Sequence, residues 1–237
     1  MSMKNAENIS PLNSCRIWSA QPATRHELIP GISGVILAGG ESRRMGSDKS
    51  LLPFAGARFI DHVYARLSSL FAEVLIVTNS PELYREIPCA KVPDIYPGQG
   101  ALAGIHSGVK HASQQQVFVV GCDMPFVVPE LVRHLCSKFV HADLLLPISS
   151  SGHEPLHALY GKACLPAMER SLNSGKKRID SFFAQVTLVE IGAAELRQID
   201  PQEGSFRNIN TPAEYFQLRG KQLGIQPEEE IAREQQA

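Results

Sequence analysis

Apolar residues along the chain fall into two kinds of segment. Some form short unbroken runs, which are expected for strands that are buried on both faces of a sheet. Others recur every three or four positions, which predicts helices that pack by one side. Strands are predicted at 35–38, 74–77, 90–92, 117–120, 144–147, 156–160 and 186–191, and helices at 59–71, 102–109, 129–139 and 162–172.

The alternation of strands and helices predicts one α/β domain. Helical crossovers favour parallel pairing of the strands they connect, with helices covering both faces of the sheet. We therefore expect a Rossmann-like three-layer fold around a mostly parallel sheet over residues 31–220. Residues 1–30 mix polar and small residues with three prolines, which predicts a poorly ordered extension. Residues 221–237 are rich in Glu and Gln, which predicts an acidic, solvated tail.

Charge and cysteine usage exclude several classes of protein. The chain has 237 residues and a formal net charge of −1, so no broad basic face is expected for nucleic acid. Its five cysteines include no C-x-x-C pair, so neither a disulfide framework nor a zinc site is indicated. No apolar run suits a membrane span or a secretory signal. We expect a cytoplasmic protein that binds neither nucleic acid nor membranes.

The stretch GVILAGGESRRMGSDKSLLPFAG combines a predicted strand with glycines and basic residues. In parallel sheets, ligands bind beyond the carboxyl ends of the strands. Backbone amides near Gly39 and Gly40 can point at one anion, while Arg43, Arg44 and Lys49 can neutralise a triphosphate. The spacing matches neither the P-loop nor the dinucleotide-binding fingerprint. A glycine turn with solvated arginines is the alternative.

Asp123 follows a predicted buried strand, in the sequence GCDMP. This position is at a carboxyl end of the sheet, where a ligand is expected. Mg²⁺ prefers oxygen ligands and is commonly held by one or two carboxylates together with phosphate oxygens. Asp123 is therefore the candidate magnesium ligand, unless it caps the helix that starts near Pro129. Cys122 beside it is predicted to be a packed thiol.

Two further polar residues follow predicted strands. Asp94 stands in PDIYPGQGALAGI, whose glycines would let the backbone lie against a ligand. A plain Pro-Asp turn is the alternative there. Asn79 follows VLIVT and is either a contact for a nucleoside or a turn residue before Pro81.

The segment SGHEPLHALY places His153, Glu154 and His157 close together in the chain. Histidines four positions apart suit a metal when the segment is helical. Pro155 lies between them, however, and the residues that follow alternate like a strand. The sequence therefore argues against a two-histidine zinc site.

The sequence LAGGESRRMGSDK, residues 37–49, resembles the signature loop of the nucleotidyltransferases that activate sugars and cofactors. It is most similar to the molybdenum cofactor guanylyltransferases, and the resemblance covers about residues 34–217. It implies a fold of the nucleotide-diphospho-sugar transferase type. It also implies an enzyme that transfers GMP from GTP to the terminal phosphate of the molybdenum cofactor (molybdopterin), giving molybdopterin guanine dinucleotide and pyrophosphate.

The resemblance also implies roles for individual residues. The Asp of the C-D-x-P motif, here Asp123, is implied to bind Mg²⁺, and the backbone after the first strand to recognise the base. The alignment near Asn79 is offset by up to two residues, so Val77 is an alternative at that position. The implied catalytic residues are Arg43, Arg44, Lys49 and Asp123, and the implied nucleotide-binding residues are Leu37, Ala38, Gly39, Gly40, Lys49, Asn79, Asp94, Gly104 and Asp123.

The acceptor side is less sharply defined by the resemblance. The segment E-P-L-x-A-L-Y is implied to line the acceptor site. Lys176, Lys177 and Arg178 are candidates for the phosphate of the pterin, or a solvated helix end. Asn208 and Asn210 are candidates for acceptor contact, or loop residues that bond their own backbone. GTP and the molybdenum cofactor are the expected partners, with molybdoenzyme apoproteins or their chaperones after them, and we expect a monomer.

Three alternative functions stay open from the sequence. Guanine preference depends on Gly39, because related cytidylyltransferases tend to carry L-A-A-G where this chain has L-A-G-G. One methyl group discriminates by only about 1–3 kcal/mol, so a molybdopterin cytidylyltransferase is one alternative. A sugar-phosphate nucleotidyltransferase would need partners for sugar hydroxyls in the 150–180 region. A non-catalytic GTP-binding regulator could dispense with Asp123, so the C-D-M-P context argues against it.

Overall fold

The computed structural model describes residues 27–39 and 49–209, together with Glu214, Tyr215 and Gln217. The α-helices in this part are α1 (Phe59–Ser68), α2 (Ala101–His111), α3 (Pro129–Lys138), α4 (Leu165–Asn173) and α5 (Ala193–Leu196). The strands are β1 (Ile32–Leu37), β2 (Pro53–Phe54), β3 (Ala57–Arg58), β4 (Val74–Val77), β5 (Ala90–Val92), β6 (Gln116–Gly121), β7 (Leu144–Ser149), β8 (Gly152–His153), β9 (His157–Gly161) and β10 (Leu188–Ile191). Short 3₁₀ helices cover Lys49–Leu51, Pro81–Tyr84, Lys162–Cys164, Ile179–Gln185 and Gly204–Phe206.

The central sheet has the strand order β10-β7-β9-β6-β1-β4-β5, and β8 pairs with β7. β1 is parallel to β4 and β6, and the pairs β4–β5 and β7–β10 are also parallel. β9 runs antiparallel to β6 and β7. The predicted α/β fold with a mostly parallel sheet is therefore confirmed.

The chain reverses its direction of travel across the sheet next to β1. It proceeds from β1 to β4 and β5 on one side, and then returns to β6 on the other side of β1. In open α/β sheets, ligands bind in the crevice beyond the strand ends where such a reversal occurs. The fold therefore points to the ends of β1 and β6.

The sheet is covered on both faces, as a three-layer fold requires. Alternate side chains of each strand point to opposite faces, so one strand contributes to two hydrophobic clusters. Ile36 and Val120 pack with residues of α1 and α3 in one cluster. Val35 and Val119 pack with residues of α2 and α4 in the other.

Helix α2 lies close to the sheet because glycine faces the strands. A Cβ atom on Gly108 would lie 2.5 Å from Val35 Cγ1 and 3.3 Å from Val77 Cγ2. One turn earlier, a Cβ atom on Gly104 would lie 3.6 Å from Leu37 Cδ2. This close approach determines how far polar side chains of α2 reach toward the ends of the strands.

Two predicted helices differ from the structure at their ends. The helix predicted at 59–71 ends at Ser68, and a turn follows in which the amides of Leu70 and Phe71 both bond Leu67 O. The helix predicted at 162–172 begins with a 3₁₀ turn, and α4 proper starts at Leu165. Within the described part of the chain, no helix combines the length and the apolar character needed to cross a membrane.

A third, smaller hydrophobic cluster packs beside the β2–β3 hairpin. It contains Phe54, Phe59, Ile209 and Tyr215. The Tyr215 hydroxyl donates to Pro53 O at 2.8 Å, which joins the end of the described chain to the hairpin. The segment after Lys49 is thereby packed against a late part of the sequence.

Candidate active site

The predicted site residues follow the carboxyl ends of adjacent strands. In the register of the sheet, Leu37 is opposite both Val77 and Gly121, and Val77 is opposite Val92. These four positions end β1, β4, β6 and β5 in one row. Four hydrogen bonds join the loops just beyond that row: Cys122 N to Leu37 O (3.1 Å), Ala38 N to Val77 O (3.0 Å), Thr78 N to Val92 O (2.9 Å) and Asp94 N to Asn79 Oδ1 (3.0 Å).

The end of β1 presents open backbone at Gly39. Leu37 and Ala38 are buried, whereas Gly39 is exposed. A Cβ atom built on Gly39 meets no atom of the described residues within 4 Å. A Cβ atom on Gly104 of α2 would lie 3.6 Å from Leu37 Cδ2, so α2 packs against the end of β1. The described part of the chain therefore leaves room beside Gly39.

The basic half of the glycine-rich loop lies outside the described residues. Gly40, Arg43 and Arg44 belong to that part of the chain. Lys49 begins the 3₁₀ helix Lys49–Leu51, so its backbone follows directly on the loop. The assignment of these residues to phosphate binding stays a prediction.

Asp123 is partly buried just beyond β6. Its carbonyl oxygen accepts a hydrogen bond from Ile209 N at 3.0 Å, which ties the loop to a late segment of the chain. Helix α3 begins at Pro129 with Val128 as its N-cap residue, and no side chain caps it. Asp123 is therefore not the cap of that helix, and the alternative reading is removed. Cys122 beside it is partly buried and packs against the hydrophobic cluster that contains Ile36 and Val120, as predicted.

Gly121 determines where the Asp123 carboxylate can lie. A Cβ atom on Gly121 would come within 2.7 Å of Asp123 Oδ1. Real side chains essentially never approach so closely, because the atoms would overlap. Gly121 had no role assigned from the sequence. The pattern of a glycine two positions before a candidate metal ligand was the available signal.

Asp94 forms hydrogen bonds through both its carboxylate and its main-chain amide. Its Oδ1 atom accepts hydrogen bonds from Tyr96 N at 3.0 Å and from the Ser107 hydroxyl at 3.1 Å. Its own amide donates to Asn79 Oδ1. The turn that the sequence suggested is thus present. Among the described residues, the hydrogen bonds to this carboxylate all go to Oδ1, so Oδ2 is the oxygen available for a ligand.

Asn79 is exposed and bonds across to the Asp94 loop, a contact that neither sequence-based interpretation anticipated. The alternative residue at this position, Val77, is buried, and its carbonyl oxygen accepts from Ala38. The side chain of Asn79, rather than that of Val77, is therefore the one presented at this edge.

The two histidines of the SGHEPLHALY segment are separated by the fold. His153 lies on β8, is exposed, and bonds Glu190 Oε1 at 2.9 Å. His157 lies at the start of β9 and is completely buried between the rings of Phe118 and Phe206, each 5.0 Å away. Burial lowers the pKa of His157 to about 3, so this side chain is neutral. Among the described residues, no group of three His, Cys, Asp or Glu side chains could hold a metal ion.

Glu154, in the same segment, is a half-buried carboxyl group. Burial raises its pKa, although a hydrogen bond from the Ser149 hydroxyl acts in the opposite direction. The negative charge of Glu203 raises the pKa further. Glu154 therefore holds a proton to a higher pH than an exposed glutamate does.

The basic segment after α4 contacts the glycine-rich loop before α2. Lys177 Nζ donates to Gly98 O at 3.1 Å, and a Cβ atom on Gly100 would lie 3.9 Å from Lys177 O. Arg178 pairs with Asp180 at 2.6 Å. Lys177 therefore lies beside the loop of Asp94. Asn208 follows the last 3₁₀ helix, with its Oδ1 atom buried and unpaired among the described residues, and Asn210 lies outside them.

Comparison with known proteins defines the class of protein to which this arrangement belongs. The model of the MobA-like NTP transferase domain matches residues 34–190. The chain belongs to this family, and the protein is accordingly a nucleotidyltransferase.

Individual proteins of known name are also similar to this chain. The chain is 37% identical over 187 residues to a probable molybdenum cofactor guanylyltransferase of Pelotomaculum thermopropionicum, covering 79% of this chain and 91% of that one. It is 34% identical over 185 residues to the molybdenum cofactor guanylyltransferase of Desulfosudis oleivorans, covering 77% and 92%. The crystal structure of molybdopterin-guanine dinucleotide biosynthesis protein A from Archaeoglobus fulgidus superposes with a TM-score of 0.72 at 27% identity, covering 81% of this chain and 100% of that one.

Proposed function

We propose that the protein transfers GMP from GTP to the terminal phosphate of the molybdenum cofactor, molybdopterin. The products are molybdopterin guanine dinucleotide and pyrophosphate. The observation that carries this proposal is the row of strand ends, where exposed Gly39 and partly buried Asp123 follow neighbouring strands at the reversal point. The names of the relatives at 34–37% identity support the choice of substrates.

The reaction needs alignment more than it needs a strong base. An oxygen of the acceptor phosphate forms a new bond to the α-phosphorus of GTP, and the bond from that phosphorus to the bridging oxygen of pyrophosphate breaks. The acceptor oxygen is already anionic, so no proton has to be removed first. Holding both substrates in line therefore supplies much of the rate enhancement.

We propose that the base of GTP lies against the backbone of Leu37, Ala38 and Gly39. The open space at Gly39 supports this placement, because a purine needs room beside the chain. Asp94 offers Oδ2 to the nucleoside, and Gly104 of α2 is proposed as a further nucleotide contact. Lys49, Arg43 and Arg44 are proposed to bind the phosphates, where their charge offsets the negative charge that develops on pyrophosphate.

We also propose that Asp123 holds Mg²⁺. The donor set fits, because Mg²⁺ is usually bound by one or two carboxylates and completes its shell with phosphate oxygens and water. A bound Mg²⁺ would neutralise charge on the phosphates of GTP. Gly121 leaves the space in which the Asp123 carboxylate lies.

The proposed function carries further proposals about the cellular location, the oligomeric state and the later partners of the protein. GTP is a cytoplasmic nucleotide, so we propose that the protein acts in the cytoplasm. We propose that it is a monomer, since the row of strand ends takes its residues from a single chain. Delivery of the product to molybdoenzyme apoproteins or their chaperones is the corresponding proposal for later partners.

The first experiment is a thermal-shift titration with GTP, CTP, ATP and UTP, each with and without Mg²⁺. A ligand present at 100 times its Kd stabilises the folded protein by about 2.7 kcal/mol. We expect GTP with Mg²⁺ to raise the Tm most. Release of pyrophosphate that requires both GTP and molybdopterin then tests the transfer itself. Stabilisation by CTP instead would make the product the cytosine dinucleotide.

The variant Gly39→Ala tests the choice of base. Its methyl group meets no atom of the described residues within 4 Å, so we expect the Tm without ligand to stay unchanged. We expect the preference for GTP over CTP to fall by about tenfold, within the range of one methyl group. An unchanged preference would remove the basis for assigning guanine recognition to this position.

A further inference from the structure

Ser107 is a polar residue on the apolar face of α2, completely buried, and no role was assigned to it from the sequence. Its hydroxyl oxygen accepts the amide hydrogen of Ile95 at 2.8 Å. Its own proton is shared between Ala103 O at 2.8 Å and Asp94 Oδ1 at 3.1 Å. One side chain thus contacts two successive residues of the loop that follows β5.

We propose that Ser107 is a positioning residue for nucleotide binding, which it supports by holding the carboxylate of Asp94 in a fixed orientation. The inference rests on the function proposed above, since it assigns the nucleotide as the ligand of Asp94. Ser107 acts through Asp94 and does not itself contact the nucleotide.

The loop is held from two directions. Asn79 accepts the amide hydrogen of Asp94 from the β4 side, and Ser107 contacts Asp94 and Ile95 from the α2 side. Tyr96 N donates to the same Oδ1 atom as Ser107 does. Because Oδ1 accepts two hydrogen bonds, the carboxylate of Asp94 cannot rotate freely. The Oδ2 atom is therefore held in a fixed orientation. Preorganised groups of this kind reduce the cost of ordering when a ligand binds.

The packing of α2 makes this contact possible. Gly108, the next residue along the helix, approaches Val35 and Val77 so closely that a Cβ atom would overlap Val35 Cγ1. The helix therefore lies against the strands, and the short serine side chain can reach the loop beyond β5.

The test compares Ser107→Ala with a matched serine at the opposite edge of the sheet. Ser33 is also completely buried, donates to a carboxylate of Glu73 and accepts an amide hydrogen, from Gln114 at 3.3 Å. Both variants lose the same kinds of hydrogen bond. We expect Ser107→Ala to raise the Kd and KM for GTP by about tenfold, with the KM for molybdopterin unchanged. Ser33→Ala should lower the Tm and leave both constants for GTP unchanged.

A double-mutant cycle with Asp94→Ala separates positioning from a general structural role. If Ser107 acts through Asp94, removing its hydroxyl should have no further effect on GTP binding when the carboxylate is already absent. Additive losses in the double variant would overturn the proposal. So would a Ser107→Ala protein whose GTP affinity matches the wild type.

A nucleotide-free measurement keeps this proposal distinct from the function on which it rests. Failure of the wild-type protein to bind any nucleotide would defeat the proposed function. Amide hydrogen exchange at Ile95 and Tyr96 would then decide whether Ser107 orders the loop. Exchange should be faster in Ser107→Ala than in Ser33→Ala, and equal exchange in the two variants would show that Ser107 does not hold the loop.

Discussion

The two edges of the central sheet differ in how their polar groups are paired. At the amino edge, before β1 and β4, Glu73 Oε2 accepts hydrogen bonds from the Ser33 hydroxyl and from the amide and hydroxyl of Ser113, the last two at 2.9 Å. Burial alone would raise the pKa of Glu73, but these bonds outweigh it and the pKa is lowered. At this edge, the carboxylate of Glu73 is therefore paired with groups of the protein itself.

At the carboxyl edge, several buried polar atoms have no partner among the described residues. They include Gln99 Oε1 in the loop before α2 and Asn208 Oδ1 beside the Asp123 loop. Both ring nitrogens of His157 are also unpaired, at the start of β9 opposite Val120 of β6. Native proteins leave few such groups, and each lowers the free energy of unfolding.

This difference in pairing indicates that the two edges have different roles. The amino edge connects elements and stabilises the fold. The carboxyl edge keeps groups and open backbone that the fold does not need, as expected where a ligand completes the set of contacts. Changes at the carboxyl edge should therefore alter turnover more than stability, and changes at the amino edge should do the reverse.

The largest effect is expected for Asp123→Asn. The substitution keeps the shape of the side chain and the main-chain bond from Ile209, but it removes the charge proposed to hold Mg²⁺. We expect kcat to fall by about 10²–10³-fold, with a Tm close to that of the wild type. Pyrophosphate release at saturating GTP and Mg²⁺ measures this, and an active variant would eliminate the metal role.

A smaller loss of turnover is expected for Gly121→Ala. The added methyl group would lie 2.7 Å from Asp123 Oδ1, so the carboxylate must move while the fold persists. We expect kcat to fall by roughly tenfold, since positioning errors of this size carry about that effect. Gly192→Ala is the matched control, because its Cβ atom meets no atom of the described residues within 4 Å. Equal kcat values for the two variants would contradict the proposed placement of Asp123.

The buried His157 predicts a pH dependence of stability at the carboxyl edge. Its pKa is about 3 in the folded protein, because burial disfavours the charged form, and near 6.5 in an unfolded chain. As pH falls from 6.5 toward 3, the unfolded state takes up a proton that the folded state does not. The free energy of unfolding should therefore fall by about 1.4 kcal/mol per pH unit from this group.

The variant His157→Leu isolates that contribution. Leucine has a similar volume and no polar atom, so the variant should be as stable as the wild type at pH 7.5 or more stable. Urea unfolding at pH 7.5, 6.5 and 5.5 measures the difference, which should widen by about 1 kcal/mol between the last two values, since the unfolded histidine is already half protonated at pH 6.5. His106, whose pKa burial also lowers, remains in both proteins and contributes equally. A constant difference would show that folded His157 takes up its proton at the same pH as it does in the unfolded chain.

Much of the fold follows from local patterns in the sequence. The strand predicted at 74–77 has those bounds in the structure, because an unbroken run of buried β-branched and leucine residues suits a central strand. The direction of β9 did not follow, since alternation predicts a strand but not its orientation. The start of α4 was misplaced because the 3₁₀ turn at Lys162–Cys164 continues the apolar spacing of the helix.

The site was predicted less completely than the fold. Asp94, Asn79 and Asp123 could be proposed as site residues because each follows a strand, and strand ends meet at one edge. Ser107 and Gly121 were missed because their roles depend on distances. The Ser107 contact requires the close approach of α2 to β1, and the Gly121 effect requires the folded orientation of the Asp123 carboxylate. Neither is encoded in residue type or spacing alone.

The smallest effect is expected at the amino edge, for Glu73→Gln. The amide keeps one oxygen acceptor but loses the charge that strengthens the bonds from Ser33 and Ser113, so the free energy of unfolding should fall by about 1 kcal/mol at pH 7. Because the pKa of Glu73 is lowered from 4.5 in the folded protein, its contribution is present above pH 4.5. It is lost as pH falls through the lowered folded value, so the two proteins should converge in urea unfolding below that pH.

The affinity for GTP and the value of kcat should stay unchanged, since the residue is at the opposite end of the strands. Loss of turnover in Glu73→Gln without loss of stability would break the division between the two edges.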